Sequence, residues 1–214
     1  MNNNISWLDK DIKRFKEVGT LIPALQRRIY EKISTEWCSG RTVCDIGCSI
    51  GVGSNILSYN SRWVWGLDIN EEAVKFAQLA FGRPNLEFAI LDVENPPTRQ
   101  LATFEVIVAS EIVEHLEKPD MLLNLVKRFM NPKGGSMAFI TVPNIANEEI
   151  KKRDAENKLH LNRWTAGEFY ALMIRHFSAV VMYSAEKLDK WDNEEMVDGD
   201  TKEPLIICKV EGIK

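Results

Sequence analysis

The sequence predicts an α/β fold in which helices cover both faces of a doubly wound, mostly parallel sheet. Two observations favour it. From about residue 41 onward, short apolar runs alternate with helical patterns, and the runs are almost continuously apolar, as in strands buried on both faces. A chain of 214 residues has the length of one domain. We assign residues 1–38 to an N-terminal helical cap and residues 39–214 to the core.

Seven segments are strand candidates because each is short and rich in β-branched or apolar residues. They are Thr42–Ile46, Trp63–Leu67, Leu86–Ile90, Phe104–Ala109, Ser136–Val142, Ala179–Tyr183 and Leu205–Val210. Helical patterns occupy about residues 52–59, 71–81 and 119–130. Thr165 and Glu168 have the spacing of a capping box, which predicts that a further helix begins there. No repeat or linker indicates a second domain.

Two amphipathic stripes predict helices before the first strand. The first stripe is Leu8, Ile12 and Phe15, and the second is Leu21, Leu25, Ile29, Ile33 and Trp37, with Thr20 as a possible N-cap. Near the other end, the last two strands have no crossover helix between them. The acidic segment 185–203 predicts a solvated loop there, and the absence of a crossover allows antiparallel pairing.

Charge and composition exclude several classes of protein. The net charge of −4 provides no global basic field that would attract duplex DNA. No apolar run is long enough to span a membrane, and the N-terminus lacks the pattern of a signal peptide, so we expect a cytoplasmic protein. The four cysteines form no Cys-x-x-Cys pair, which favours reduced, buried thiols.

A glycine-rich segment from Asp45 to Gly53 connects the first strand to the first core helix. Glycines there let the backbone turn sharply and approach a ligand closely. A dinucleotide-binding turn has the pattern Gly-x-Gly-x-x-Gly, but here the last glycine is replaced by Ile56. A carboxylate at Asp45 would also repel a pyrophosphate, whereas it suits a ligand that carries an ammonium group. A nicotinamide-dependent dehydrogenase is therefore disfavoured.

Carboxylates also end the next two strands. Asp68 follows the second strand and can accept hydrogen bonds from ribose hydroxyls. Asp92 follows the third strand, where it can reach an adenine amino group. Buried carboxylates without partners are costly, so acids at three successive strand ends indicate a nucleoside ligand.

The pattern Asp45-x-Gly47-x-Ser49-x-Gly51, with Asp68, Asp92 and the later Pro-Lys-Gly-Gly turn, resembles the ordered motifs of class I methyltransferases over about residues 38–183. The resemblance implies a Rossmann-like sheet of seven strands with an antiparallel last strand, N-terminal helices over the pocket, and S-adenosylmethionine as methyl donor. Ser49 departs from the family's usual glycine and is tolerable only with ordinary backbone dihedrals. The expected cofactor-binding residues are Asp45, Gly47, Cys48, Gly51, Asp68, Ile69, Asp92, Val93 and Ser110.

The acceptor side is predicted to follow the fourth strand. In a helical turn, Glu111, Glu114 and His115 would share one face, and His160 lies in a later loop expected at the same sheet edge. The Glu-x-x-Glu-His stretch resembles that of ubiquinone-biosynthesis O-methyltransferases and of small-RNA 3′-terminal 2′-O-methyltransferases, and the latter add a downstream histidine. The resemblance implies Glu111, Glu114, His115 and His160 as candidate ligands of Mg²⁺, Mn²⁺ or Zn²⁺. Alternatively, these side chains line the acceptor pocket without a metal.

The predicted reaction is methylation of a hydroxyl on a small molecule or on a ribose at an RNA end. A hydroxyl is a poor nucleophile near neutral pH and gains from a metal or a general base, so His115, His160 and Glu111 are the candidate catalytic residues. Ser110-Glu111-Ile112 stands where base-modifying enzymes carry a Pro-Pro-aromatic motif, which disfavours an exocyclic base amine as acceptor. A metal-free N- or C-methyltransferase and a non-catalytic cofactor-binding regulator are the alternatives.

Overall fold

The computed structural model describes residues 23–99, 102–185, 201 and 205–213. The helices are α1 (Ala24–Trp37), α2 (Val52–Leu57), α3 (Glu71–Ala80), α4 (Pro119–Phe129), α5 (Glu148–Ala155) and α6 (Ala166–His176), with a 3₁₀ turn, η1, at Val113–His115. The strands are β1 (Thr42–Ile46), β2 (Trp63–Asp68), β3 (Leu86–Ile90), β4 (Val106–Ser110), β5 (Met137–Pro143), β6 (Phe177–Ser184) and β7 (Leu205–Ile213).

These strands form one sheet in the order β3-β2-β1-β4-β5-β7-β6. Strands β1 to β5 pair in parallel, whereas β7 runs antiparallel to both β5 and β6. The predicted Rossmann-like sheet of seven strands with a reversed last strand is therefore confirmed. The chain order reverses between β1 and β4, and in open α/β sheets such a switch point opens a crevice beyond the carboxyl ends of the strands.

Helices cover both faces of this sheet. On one face, Leu122 and Phe129 of α4 and Phe169 of α6 pack against the sheet. On the other, Ile29 of α1 and Leu57 of α2 belong to a second buried cluster. All four cysteines are buried and free, as predicted. The described helices include none that is both long and apolar enough to cross a membrane.

One helix of the structure was not predicted, and the predicted start of another is confirmed. Helix α5 was not predicted, although Asn147 caps it by accepting hydrogen bonds from the N–H groups of Glu149 and Ile150. The basic run from Lys151 to Arg153 is exposed on this helix. The capping box of Thr165 and Glu168 is confirmed at the start of α6. The described residues do not include the first predicted helix, the predicted N-cap Thr20 of the second helix, or most of the acidic segment 185–203.

Candidate active site

A cavity of about 480 Å³ opens beyond the carboxyl ends of β1, β2 and β4. Five predicted cofactor-binding residues line it, namely Gly47, Asp68, Ile69, Asp92 and Val93. Further lining residues are Ser49, Glu94, Glu111, Ile112, His115, Leu116 and Leu159. The cavity thus joins the predicted nucleoside side of the site, at β2 and β3, to the predicted acceptor side, at β4.

The glycine turn has left-handed backbone at three residues. Gly47 and Gly51 have φ values of 76° and 84°, which favour glycine. Ser49 has a φ of 48°, so the expectation of ordinary dihedrals at this serine is wrong. Its N–H donates to Asp68 Oδ2 at 2.8 Å, and this hydrogen bond to a charged group offsets the backbone strain.

Asp68 organises the turn and also faces the cavity. In addition to the contact with Ser49, its Oδ1 accepts from the N–H of Asn70 at 2.8 Å. Burial raises the pKa of Asp68, and the backbone hydrogen bonds act in the opposite direction. Each carboxylate oxygen can accept more than one hydrogen bond, so Asp68 retains capacity for the hydroxyls of a ribose.

Asp92 is held in place by the residues that follow it. Its carboxylate accepts from the N–H of Glu94 at 2.9 Å and from Asn95 Nδ2 at 2.8 Å. The hydrogen bond from Asn95 lowers the pKa of Asp92. Asp92 is therefore an ionised carboxylate at the cavity wall, where it can accept a hydrogen bond from an adenine amino group.

Asp45 lies behind the turn and does not line the cavity. It is fully buried, and its two oxygens accept from Tyr30 Oη at 3.0 Å and from Ser54 Oγ at 2.6 Å. Burial raises the pKa of Asp45 to about 7. Three other residues predicted to contact the cofactor, Cys48, Gly51 and Ser110, are likewise buried in the turn or below it and are not part of the cavity wall.

Glu114, His115 and His160 form a cluster on the acceptor side, and each offers a ligand atom within 4.8 Å of the others. His115 Nδ1 lies 3.0 Å from the carbonyl oxygen of Leu159, which leaves Nε2 facing Glu114 Oε1 at 3.9 Å. Glu114 is 1% exposed, and neither of its carboxylate oxygens has a hydrogen-bond partner among the described residues. A buried carboxyl group in this state needs a proton or a cation.

His160 is oriented by Asp154, a residue that the sequence did not single out. The Asp154 carboxylate contacts His160 Nδ1 and also pairs with Arg163 Nε at 2.5 Å. The Nε2 atom of His160 is therefore the nitrogen available to the cluster. Asp154 is on α5 and reaches His160 only because the following loop folds back, and no local sequence pattern encodes that closure.

Glu111 is not part of this cluster, so the predicted helical face of three residues is wrong for Glu111. The turn η1 begins only at Val113, and Glu111 itself has a φ of 56°. The reason is Thr141 on β5, whose Oγ1 accepts from the Glu111 N–H and donates to Glu111 Oε1, both at 3.1 Å. The carboxylate lines the cavity, and burial raises its pKa to about 7.

A row of hydroxyls continues from Thr141 toward helix α1. Ser110 Oγ lies 2.9 Å from Thr141 Oγ1 and accepts from Gln26 Nε2 at 3.2 Å. Because the Thr141 hydroxyl donates to Glu111, the Ser110 hydroxyl donates to Thr141. Ser110 and Thr141 thus support the acceptor side from below, and α1 contributes to that support without any of its described residues lining the cavity.

A glycine turn at the switch point, acids at successive strand ends and a reversed β7 together define the fold and site of a class I S-adenosylmethionine-dependent methyltransferase. A model of the methyltransferase domain family matches residues 38–194. The chain therefore belongs to this family, the class I S-adenosylmethionine-dependent methyltransferases.

Comparisons with individual proteins agree with this assignment. A ubiquinone biosynthesis O-methyltransferase from Idiomarina loihiensis is 27% identical over 139 residues, which are 64% of this chain and 55% of that protein. The chain thus spans about half the length of this relative. A chain from the complex of the Haloferax volcanii Trm112 methyltransferase activator superposes with a TM-score of 0.70 at 14% identity, over 98% of this chain and 97% of its own.

A further solved structure has the same fold. The N-methyltransferase NodS from Bradyrhizobium japonicum, in complex with S-adenosyl-L-homocysteine, gives a TM-score of 0.64 at 13% identity, with both chains fully covered. Because these two solved structures are only 14% and 13% identical to this chain, they support the fold, and the acceptor has to be argued from the site.

Proposed function

We propose that this enzyme methylates a hydroxyl group of a small, largely uncharged molecule, with a divalent metal held by Glu114, His115 and His160. The observation that carries the proposal is the buried carboxylate of Glu114, which has no hydrogen-bond partner in the described chain and lies beside two imidazole nitrogens. A bound cation would satisfy that carboxylate. Three protein ligands would leave further coordination positions for an acceptor oxygen.

The donor set fits a transition metal better than Mg²⁺. Two imidazoles and one carboxylate suit Zn²⁺ or Mn²⁺, whereas Mg²⁺ prefers oxygen ligands. The Asp154 carboxylate contacts His160 Nδ1. An outer-shell carboxylate in this position commonly orients a metal-binding histidine. When bound, the metal would lower the pKa of a coordinated acceptor hydroxyl.

The chain's own groups would align the acceptor and receive its proton. Burial lowers the pKa of His115, so its imidazole is neutral at physiological pH. Glu111 lines the cavity, with a carboxylate whose pKa is about 7. A group with such a pKa is suited to general-base catalysis near neutrality. The methyl donor, once bound, supplies an already activated methyl group.

The cavity wall favours a neutral acceptor. On the acceptor side, Ile112, Leu116 and Leu159 provide apolar surface. Apart from His115, the ionisable side chains at the wall are carboxylates, and the described part of the wall contains neither Lys nor Arg. An anionic acceptor such as an RNA end is therefore less favoured, although Arg153 of the exposed basic run on α5 is close enough for its charge to lower the pKa of Glu111. The similarity to ubiquinone biosynthesis O-methyltransferases supports a hydroxyl acceptor.

Three measurements test the proposal in sequence. Calorimetry with S-adenosyl-L-homocysteine establishes the cofactor site. Methyl transfer to catechol and to ortho-phenylenediamine compares hydroxyl with amine acceptors. Repeating both assays with a chelator measures the dependence on Zn²⁺ or Mn²⁺. We expect catechol to be methylated and the chelator to abolish transfer. Transfer to the diamine alone would favour an N-methyltransferase, and chelator-insensitive transfer to catechol would exclude the metal.

A further inference from the structure

Helix α1 contacts the buried carboxylate of Asp45 from outside the cavity. Tyr30 Oη donates to Asp45 Oδ1, and Ser54 Oγ from α2 donates to Oδ2. From this geometry we infer that Tyr30 is a positioning residue for cofactor binding. It holds Asp45 as an oriented carboxylate behind the glycine turn, where the ammonium group of the cofactor's amino-acid tail is attracted. This inference concerns the methyl donor and is independent of the proposed acceptor and metal.

Gly53 provides the space in which the Tyr30 ring lies. A Cβ at Gly53 would be 2.4 Å from Tyr30 Cζ and 2.9 Å from Oη, which is far inside van der Waals contact. The backbone of Gly53 has no positive φ, so its conformation does not require glycine. The space taken by the tyrosine ring explains why this position in the first turn of α2 lacks a side chain.

Packing alone does not explain the Tyr30 hydroxyl. A phenylalanine would fill the same space, and a buried hydroxyl is favourable only when it is hydrogen-bonded. Tyr30 is 4% exposed. Its pKa is raised well above the usual value, first by burial and then by the negative charge of Asp45. The phenol therefore stays protonated and remains a donor to the carboxylate.

The charge on Asp45 depends on this donor. Burial raises the pKa of Asp45 to about 7, and the hydrogen bonds from Ser54 and Tyr30 lower it. The other titratable groups around it are the carboxylate of Asp68 and the thiols of Cys38, Cys44 and Cys48. The thiols have raised pKa values and are neutral, whereas the charge of Asp68 disfavours a second negative charge. Loss of the Tyr30 hydroxyl would therefore favour the protonated form of Asp45.

Two ligands separate this role from a general contribution to folding. S-adenosyl-L-homocysteine carries the amino-acid tail, and 5′-methylthioadenosine lacks it. For Tyr30→Phe we expect calorimetry to show about tenfold weaker binding of S-adenosyl-L-homocysteine, the usual effect of one hydrogen bond to a charged group. We expect little change for 5′-methylthioadenosine. Tyr183→Phe, at another buried tyrosine on edge strand β6, is the matched control and should bind both ligands as the wild type does.

The pH dependence gives a second readout. As the pH falls through the pKa of Asp45, the carboxylate is lost and the affinity for S-adenosyl-L-homocysteine falls. Because Tyr30→Phe raises that pKa, the midpoint should move to higher pH, which a loss of stability alone would not cause. Gly53→Ala should reproduce the effect by displacing the ring, and the double variant should lose no more than either single variant. Unchanged affinity and midpoint in Tyr30→Phe, or equal losses for both ligands, would overturn the inference.

Discussion

The imidazole rings of His115 and His160 meet edge to face, with centroids 4.6 Å apart. One ring follows β4 and the other lies in the loop after α5, so the contact is made by the fold and not by local sequence. The carboxylate of Glu114, which has no hydrogen-bond partner among the described residues, offers an oxygen within 4.8 Å of a nitrogen of each ring. A cation bound by these two imidazoles and the buried carboxylate would lower the free energy of the folded state.

Glu114→Gln should therefore have opposite effects with and without metal. Burial raises the pKa of Glu114 well above its usual value, and the charge of Glu111 acts in the same direction. Without metal, the amide removes the cost of a buried carboxyl group, and we expect the melting temperature to rise. With Zn²⁺ the wild type should gain stability by mass action, whereas the variant should gain little. Exposed Glu87→Gln is the control, and equal responses of both proteins to Zn²⁺ would contradict the metal site.

Asp154→Asn should weaken metal binding without removing a ligand. Asp154 contacts His160 Nδ1 and Arg163 Nε, so the amide would leave the imidazole free to rotate or to change tautomer. Loss of such an outer-shell carboxylate typically costs ~10–100-fold in metal affinity. Competition of Zn²⁺ with a chromophoric chelator measures this affinity. Asp120→Asn, which removes the carboxylate partner of His176 on α6, is the matched control and should leave Zn²⁺ affinity unchanged.

Asp68→Asn should reduce cofactor affinity and loosen the glycine turn. The carboxylate accepts from the N–H of Ser49, whose backbone is left-handed, and it faces the predicted ribose position. An amide oxygen can replace one of these contacts but carries no charge. We expect at least ~10-fold weaker binding of S-adenosyl-L-homocysteine by calorimetry. Ser49→Gly should bind normally because glycine adopts the same φ without strain. Wild-type affinity in Asp68→Asn would contradict this placement of the ribose.

The fold was predictable because the apolar pattern of buried strands and the glycines of turns are local features of the sequence. Nearly continuous apolar runs indicate strands covered on both faces, and Gly47 and Gly51 indicate where the chain turns. The position of Glu111 was not predictable, since its spacing to Glu114 and His115 indicates a helical face. Thr141, from a strand far along the chain, binds both the amide and the carboxylate of Glu111 and prevents that geometry. Local sequence thus predicted that the segment after β4 reaches the cavity, but not its backbone conformation.

The same limit applies to helix α1. Its apolar stripe correctly predicted buried Ile29 and Ile33, because helical periodicity is visible in the sequence. The contact of Tyr30 with Asp45 depends on the absence of a side chain at Gly53, and that complementarity exists only once α1 and α2 are packed together. Asp45 was predicted to contact the cofactor, and the structure places it behind the cavity wall.

Turnover should depend on pH through Glu111, and Thr141 should set the midpoint. Burial raises the pKa of Glu111 to about 7, and the hydrogen bond from Thr141 lowers it. A general base is active when deprotonated, so methylation of catechol should rise with pH around 7, and Glu111→Gln should abolish this step. In Thr141→Val the lost donor raises the pKa, which moves the midpoint to higher pH, whereas Thr141→Ser should restore it.

Thr42→Val is the matched control for this last experiment. Thr42 is also a strand threonine whose hydroxyl donates to a glutamate, Glu105 Oε2 at 3.1 Å, but it begins β1 at the opposite end of the strand from the cavity. Its loss should cost stability without moving the pH midpoint. If Thr42→Val and Thr141→Val shift the profile equally, the hydroxyl of Thr141 acts on folding and not on Glu111. If Glu111→Gln keeps the wild-type profile, the proton is taken by another group and Glu111 is not the general base.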